Sequence, residues 1–270
     1  MTTFEGTLLD FKRLDLLATG DSAIHRLDGR AKVLVVLLFI VSVVSFDKYE
    51  LSALFPFFIF PAALAALAGL PTGFLLKKTA LVIPFALVIG MFNPLFDREA
   101  AVWFGPVAIN GGWLSCASIV VRALLTVSAT LVLISVTGFT TVCNSLERLG
   151  MPRAFVTQLL FLYRYLFVVA EEGERASRAR RLRSFENNGM GIRTFGSLVG
   201  HLLLRAWERA ERIHRAMLAR GFTGEFHGPG NARFGRREIL FLLGWSACFA
   251  ILRVRNASQL VGELVSGVIS

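Results

Sequence analysis

Leu51–Leu70 reads LSALFPFFIFPAALAALAGL and is apolar but for Ser52 and Gly69. A helix needs about 20 such residues to cross roughly 30 Å of hydrocarbon. A soluble domain in a chain of 270 residues needs no apolar run of that length. Working outward, Thr79–Phe96 carries no charge, and Ala31–Phe46, Trp113–Thr137 and Glu238–Leu252 complete five candidate spans. The first and last are short, and Lys32, Arg253 and Arg255 at their margins can snorkel to lengthen them. With 54% apolar residues and 24 phenylalanines, and a mean hydropathy of +0.61, the chain falls in the integral membrane class. The first 30 residues are mixed and polar, and no A-x-A-type site follows the first apolar run, so no cleavable signal peptide is expected.

Charge is placed unevenly. The formal net charge is +10, and between Glu147 and Arg237 there are 17 arginines, no lysine and 8 acidic residues, so one segment holds nearly the whole excess. Exclusive use of arginine favours planar, two-pronged recognition of carboxylate or phosphate over general charge attraction. Basic residues also set sidedness. Lys12, Arg13, Arg26, Arg30 and Lys32 surround the approach to the first span, and Lys77 and Lys78 precede the third. The intervening connections hold only Lys48 and Arg98. This predicts the amino terminus and the arginine block in the cytoplasm, with the carboxyl terminus outside. The turn-rich stretch from Phe104-Gly105-Pro106 to Asn110-Gly111-Gly112 reads as an external connection. Arg122 falls inside the fourth span, where it either snorkels or has a function.

The arginine block divides at Gly150-Met151-Pro152 and at Asn187-Asn188-Gly189, which predicts three helices: Thr140–Leu149, Arg153–Phe185 and Arg193–Arg220. Phe155, Leu159, Leu162, Leu166 and Ala170 share one face of the second, which looks half embedded at the membrane surface and half projecting. Val199, Leu203, Ala206, Ala210, Ile213 and Met217 share one face of the third. Glu208 with Arg212 and Glu211 with Arg215 are in the favourable order for helical ion pairs. Both long helices should measure about 40–45 Å.

Their far ends hold the candidate site. In Ala219-Arg220-Gly221, alanine lets a partner's backbone approach, arginine offers a five-donor fork, and glycine suits the left-handed residue that closes a helix. The preceding helix carries Arg178-Ala179-Arg180-Arg181 and then Arg183. An arginine at a rigid helix end is also favoured by the negative end of the helix dipole.

Taken together, these residues resemble the transmembrane coupling (T) component of energy-coupling factor (ECF) transporters, which are ABC-type importers with a separate substrate-binding membrane subunit. Ala219-Arg220-Gly221 matches the second family motif fully. Ala179-Arg180-Arg181 matches the first in two of three places, with arginine where glycine is common, and Arg183 is a further candidate there. His25-Arg26-Leu27-Asp28-Gly29-Arg30-Ala31-Lys32 and Phe46-Asp47-Lys48-Tyr49-Glu50 are most similar to the cobalt and nickel branch, the CbiQ type.

The resemblance implies an all-α polytopic protein of the cell membrane, with about five transmembrane helices and three cytoplasmic coupling helices before the last. Residues 1–138 would hold the first four spans, 139–237 the coupling region, and 238–270 the last span and an external tail. It further implies a subunit that binds no substrate, is no enzyme and takes no cofactor. Ala179, Arg180, Arg181, Arg183, Ala219, Arg220 and Gly221 would dock into the grooves of two ABC ATPase subunits that bind ATP with magnesium. A CbiM- or NikM-like substrate-binding membrane subunit and membrane lipid would be the other partners, with cobalt or nickel as cargo.

The residues exclude some other classes. No G-x-x-x-x-G-K-[ST] occurs, so the chain has no P-loop of that type. His25, His201, His214 and His227 stand alone, without companions at metal-ligand spacing, and His201 reads as packed or interfacial. Cys116, Cys143 and Cys248 are far apart and read as buried small hydrophobes. The first four spans hold no acidic residue, which argues against a proton-coupled carrier. Phe185, Trp207 and Phe222 are too few for a nucleic-acid stacking surface. The competing reading is a membrane enzyme acting on a phosphorylated or lipid substrate at the cytoplasmic face, but Asp28, Asp47, Glu50 and Asp97 are scattered.

Overall fold

A computed structural model describes residues 13–47, 50–96, 100–104, 107–183, 191–224 and 235–254. Expectations resting on Lys12, Lys48, Asp97, Arg98, Phe185, Asn187-Asn188-Gly189, His227 and Arg255 lie outside the described residues. Helix α1 is Gly29–Val44 and α2 is Leu51–Leu67, which tightens to a 3-10 turn at Phe55–Phe58. Pro56 explains that turn, since it lacks the amide donor that a continuous α-helix needs. Helix α3 is Thr72–Gly90 and α4 is Gly111–Thr137. Helices α5 (Phe139–Arg148), α6 (Arg153–Arg183), α7 (Ile192–Ala219) and α8 (Arg236–Val254) follow. The fold is that of an all-α polytopic membrane protein. Its only sheet among the described residues is an antiparallel ribbon of β1 (Ala100–Phe104) and β2 (Val107–Asn110).

Three helices, α3, α4 and α6, are long and apolar enough to cross a membrane by length and composition. Helix α6 joins that set because residues 154–170 carry only Arg164. Two boundaries differ from expectation. Helix α3 begins at Thr72, so Lys77 and Lys78 lie within it instead of preceding it. The expected turn at Asn110-Gly111-Gly112 is replaced by strand pairing that runs directly into α4 at Gly111.

The chain divides into two compact units, Met1–Ser145 with Asn231–Ser270, and Leu146–Gly230. The core of the first is aromatic. Phe39 of α1 stacks on Phe60 of α2 at 4.6 Å between ring centres, and Phe249 of α8 meets Phe60 edge-on at 5.1 Å. Trp245 and Phe57 extend the cluster. Large rings fill the space between thin apolar helices and bind it through offset and edge contacts. Leu81, Phe85 and Val88 of α3, and Met91 just after it, point outward, as lipid-facing side chains do.

Both ends of α1 are tied by polar contacts. At its start, the Asp28 carboxylate accepts from the Arg30 amide at 3.0 Å, a side-chain cap. Lys32 does not snorkel to water. It is only 5% exposed, and its Nζ donates to the His25 carbonyl at 3.4 Å, because the 22–28 segment folds back over it. Gly29 sits where any Cβ would collide with the Ser145 hydroxyl of α5, so glycine is what lets α1 approach that helix. Part of the His25–Lys32 run is therefore explained by packing.

Just past the other end, the carbonyls of residues 45–47 lie outside the helix and are met by arginines of two other helices. Arg122 Nη2 from α4 donates to the Phe46 and Asp47 carbonyls at 2.9 and 2.6 Å. Arg253 Nη2 from α8 donates to the Ser45 carbonyl at 3.0 Å, and its guanidinium stacks 4.8 Å from the Phe46 ring. Arg122 is thus a clasp on α1, and Arg253 does more than snorkel. Arg122→Leu should lower the thermal midpoint of the detergent-solubilised chain, with a stability loss of about 1–3 kcal/mol. Arg122→Lys should recover part of it, and an unchanged midpoint in the leucine variant would mean that water serves those carbonyls as well.

Candidate partner-docking site

The second unit is built on an antiparallel pair. Its register is set by charge as much as by apolar contact. Glu172 of α6, whose side chain is 16% exposed, lies between Arg209 at 3.2 Å and Arg205 at 3.5 Å on α7. Gly173 faces Leu202 beside it. At the other end, the Thr157 hydroxyl donates to the Gly224 carbonyl at 3.4 Å, which holds the close of α7 beside the start of α6.

The half-buried residues of α7 are Thr194, Leu198, Leu202, Ala206, Arg209, Ile213 and Met217. Of the expected stripe, Ala206, Ile213 and Met217 face inward, while Val199, Leu203 and Ala210 are exposed. The packed face is rotated because Arg209 is drawn in toward Glu172. On α6 a similar correction holds: Val156 is buried, whereas Phe155, Leu162 and Leu166 of the expected face are exposed. The outward face of α7 therefore shows Phe195, Val199, Leu203 and Trp207.

The two motif segments sit at opposite ends of this pair. At the second, Gly221 has φ +77°, and its amide donates to the Leu218 carbonyl at 3.0 Å. The Phe222 amide reaches back to the Met217 carbonyl at 3.0 Å. This pair of bonds is the Schellman closure, which places the C′ residue in the left-handed region where glycine is favoured. Ala219 and Arg220 are exposed immediately before it.

The first segment differs. Helix α6 continues to Arg183, so Ala179, Arg180 and Arg181 lie within its last turns and do not themselves close it. Arg180 is half-buried, and its Nη1 has no hydrogen-bond partner. Arg181 and Arg183 are exposed. From Thr157 to Arg180 is about 23 residues, so the two arginine-bearing ends stand roughly 35 Å apart along the pair. The expected Glu211–Arg215 and Glu208–Arg212 pairs form, the latter at 3.8 Å, and both are exposed.

Other candidates fall outside this arrangement. His201 is exposed and lies along the α6–α7 groove instead of being packed, and His214 is exposed. Cys116 and Cys143 are buried, while Cys248 is only half-buried. Burial pushes the Cys143 thiol above its ordinary range, which keeps it protonated and inert. At the surface, Arg26 beside Asp21 holds that carboxyl below the usual range. Among the described residues, no three His, Cys, Asp or Glu side chains gather as metal ligands. The inter-helix triad of Glu172, Arg205 and Arg209 was not visible in sequence, because no local spacing links residues so far apart.

An aromatic-cored helical unit of membrane character, with a second unit presenting arginines at both ends of a helical pair, defines a polytopic membrane protein. The chain belongs to the cobalt transport protein (CbiQ) family, whose family model matches residues 20–229. It is 28% identical over 189 residues to an uncharacterized protein of Methanocaldococcus jannaschii, covering 69% of this chain and 68% of that one. It is 27% identical over 159 residues to the cobalt transport protein CbiQ of Salmonella typhimurium, covering 54% and 71%. It is 28% identical over 229 residues to the energy-coupling factor transporter transmembrane protein EcfT of Heliobacterium modesticaldum, covering 79% and 84%.

Glu172→Ala leaves Arg205 and Arg209 without their shared anion. It should destabilise the α6–α7 pair by about 1–3 kcal/mol, read as faster amide exchange over residues 194–209. Exchange as slow as in the parent chain would mean that apolar contact alone sets the register.

Proposed function

We propose that this chain is the transmembrane coupling subunit of an ECF-type ABC importer that brings cobalt or nickel ions into the cell. In this reading the chain binds no ion and catalyses no reaction. ATP with magnesium is bound by two partner ABC ATPases, and the ion by a separate CbiM- or NikM-like membrane subunit. The amino terminus and the α6–α7 pair face the cytoplasm, and the carboxyl terminus faces outward, in line with the distribution of basic residues.

The observation that carries the reading is the separation of two cationic ends on one packed pair. Arg220 caps one end on a helix closed by Gly221. Arg180, with Ala179, Arg181 and Arg183, occupies the other. A strut of that kind can engage two copies of a motor at once and pass their closure to the membrane helices. Family membership and the similarity to the CbiQ and EcfT relatives support the same class.

Each guanidinium would enter an acidic groove, where removing one partner of a buried charged contact costs about 3–5 kcal/mol. Arg220→Ala should therefore weaken retention of the ATPases by roughly two to three orders of magnitude, with a normal elution profile for the chain itself. Arg180→Ala should act in the same direction. Copurification from cells expressing the whole complex, followed by metal uptake, reads both effects. Undiminished ATPase retention and uptake in the double variant would overturn the proposal.

A further inference from the structure

We propose that the contact between Gly29 of α1 and Ser145 of α5 is the bearing through which displacement of the α6–α7 pair reaches the membrane helices, with Gly138 as its swivel. The inference deepens the coupling role proposed above and rests on it. Helix α5 is the covalent approach to that pair. It begins in the first compact unit, and its last residues, 146–148, belong to the second. It has ten residues and is bounded by left-handed glycines, Gly138 at φ +76° and Gly150 at φ +110°.

Gly138 turns the chain without interrupting its hydrogen bonding. Its amide donates to the Ile134 carbonyl of α4 at 2.8 Å, and its carbonyl accepts from the Val142 amide of α5 at 3.1 Å. Glycine takes up that left-handed turn without steric penalty. A hinge is an element-terminal residue that absorbs backbone rotation, and Gly138 stands between two stiff helices in that position.

Ser145, two turns further along α5, meets α1 where no side chain fits. A Cβ at Gly29 would collide with the Ser145 hydroxyl, with Thr141 Cγ2 and Thr137 Cγ2 next at 3.3 and 3.4 Å. That hydroxyl already donates to the Thr141 carbonyl of its own helix at 2.7 Å. On either side of Gly29, Asp28 Oδ2 and Arg30 Nε are buried without a hydrogen-bond partner, as is Thr137 Oγ1. The Gly29–Ser145 contact is therefore steric. It transmits a push, because packed interiors are stiff, yet no bond across it fixes the angle between the helices. Rotation of α5 about Gly138 presses Ser145 on Gly29. The push passes on through Phe39 of α1, which meets Phe60 at 4.6 Å and Phe249 at 5.4 Å between ring centres.

The test is the number of cobalt or nickel ions imported per ATP hydrolysed by the whole complex in liposomes, measured beside ATPase retention and thermal midpoint. Gly29→Ala crowds the contact and should lower that ratio about 10-fold, with the ATPases retained as in the parent. Adding Ser145→Ala removes the colliding oxygen and should restore at least about half of the parent ratio. Ser145→Ala alone slackens the contact and should lower the ratio about 3-fold at an unchanged thermal midpoint. It serves equally if Gly29→Ala does not assemble.

A parent ratio in either single variant would overturn the inference. So would an assembly defect in Gly29→Ala that Ser145→Ala leaves unrepaired, since the glycine would then matter for folding alone. A parent complex that retains its ATPases but imports neither ion would overturn the proposed cargo and coupling role, and this inference with them.

Discussion

Glu172 between Arg205 and Arg209 is the contact on which the second unit depends. A largely screened carboxylate must be matched by cations, and the antiparallel register of the pair brings Arg205 and Arg209 of α7 to it. Apolar packing alone would leave that register open, because Leu198, Val199, Leu202, Leu203 and Leu204 place apolar side chains around much of the circumference of α7. Once the register is fixed, the length of the helices does the rest. Arg180 and Arg220 are held at opposite ends because both lie far from the ion triad along a stiff pair. That spacing supports the coupling role proposed for the pair, since a strut transmits displacement only if its ends cannot slide past each other.

The first unit is organised by a different constraint, the anchoring of a short helix through the residues that flank it. Helix α1 has 16 residues, fewer than the roughly 20 a free-standing span needs. Its start is capped by Asp28, the buried Lys32 ties in the segment before it, and Arg122 and Arg253 hold the residues just after it. The clasp therefore joins the chain just after α1 to α4 and α8, while Phe39, Phe60 and Phe249 interlock α1, α2 and α8. Polar ties at the ends and aromatic packing in the middle hold the short helix in the first unit.

Helix class and approximate boundaries were legible in sequence because apolar runs, Gly150-Met151-Pro152 and Gly221 act locally. The closing geometry at Gly221 follows from glycine's freedom in the left-handed region, which any reader of Ala219-Arg220-Gly221 can anticipate. The packed face of α7 was not legible. Periodicity offered Val199 and Leu203, and the ion triad chose Leu198 and Leu202 instead. Lys32 misled for a similar reason: a lysine at a span margin reads as snorkelling unless a distant segment supplies a carbonyl. Arg122 was recognisable as unusual, but its acceptors come from residues 46 and 47, which no spacing rule connects to it. Arg180 was placed at a helix tip by its motif, and the continuation of α6 to Arg183 turned it toward α7.

The central claim is that the α6–α7 pair is a strut of fixed length. Spin labels on Leu182→Cys and Leu218→Cys, both exposed positions near its two ends, measure that length directly by pulsed dipolar spectroscopy. The account predicts one narrow distance distribution centred at about 35 Å, which broadens when Glu172→Ala is added. A broad or multiple distribution in the otherwise unaltered chain would contradict it.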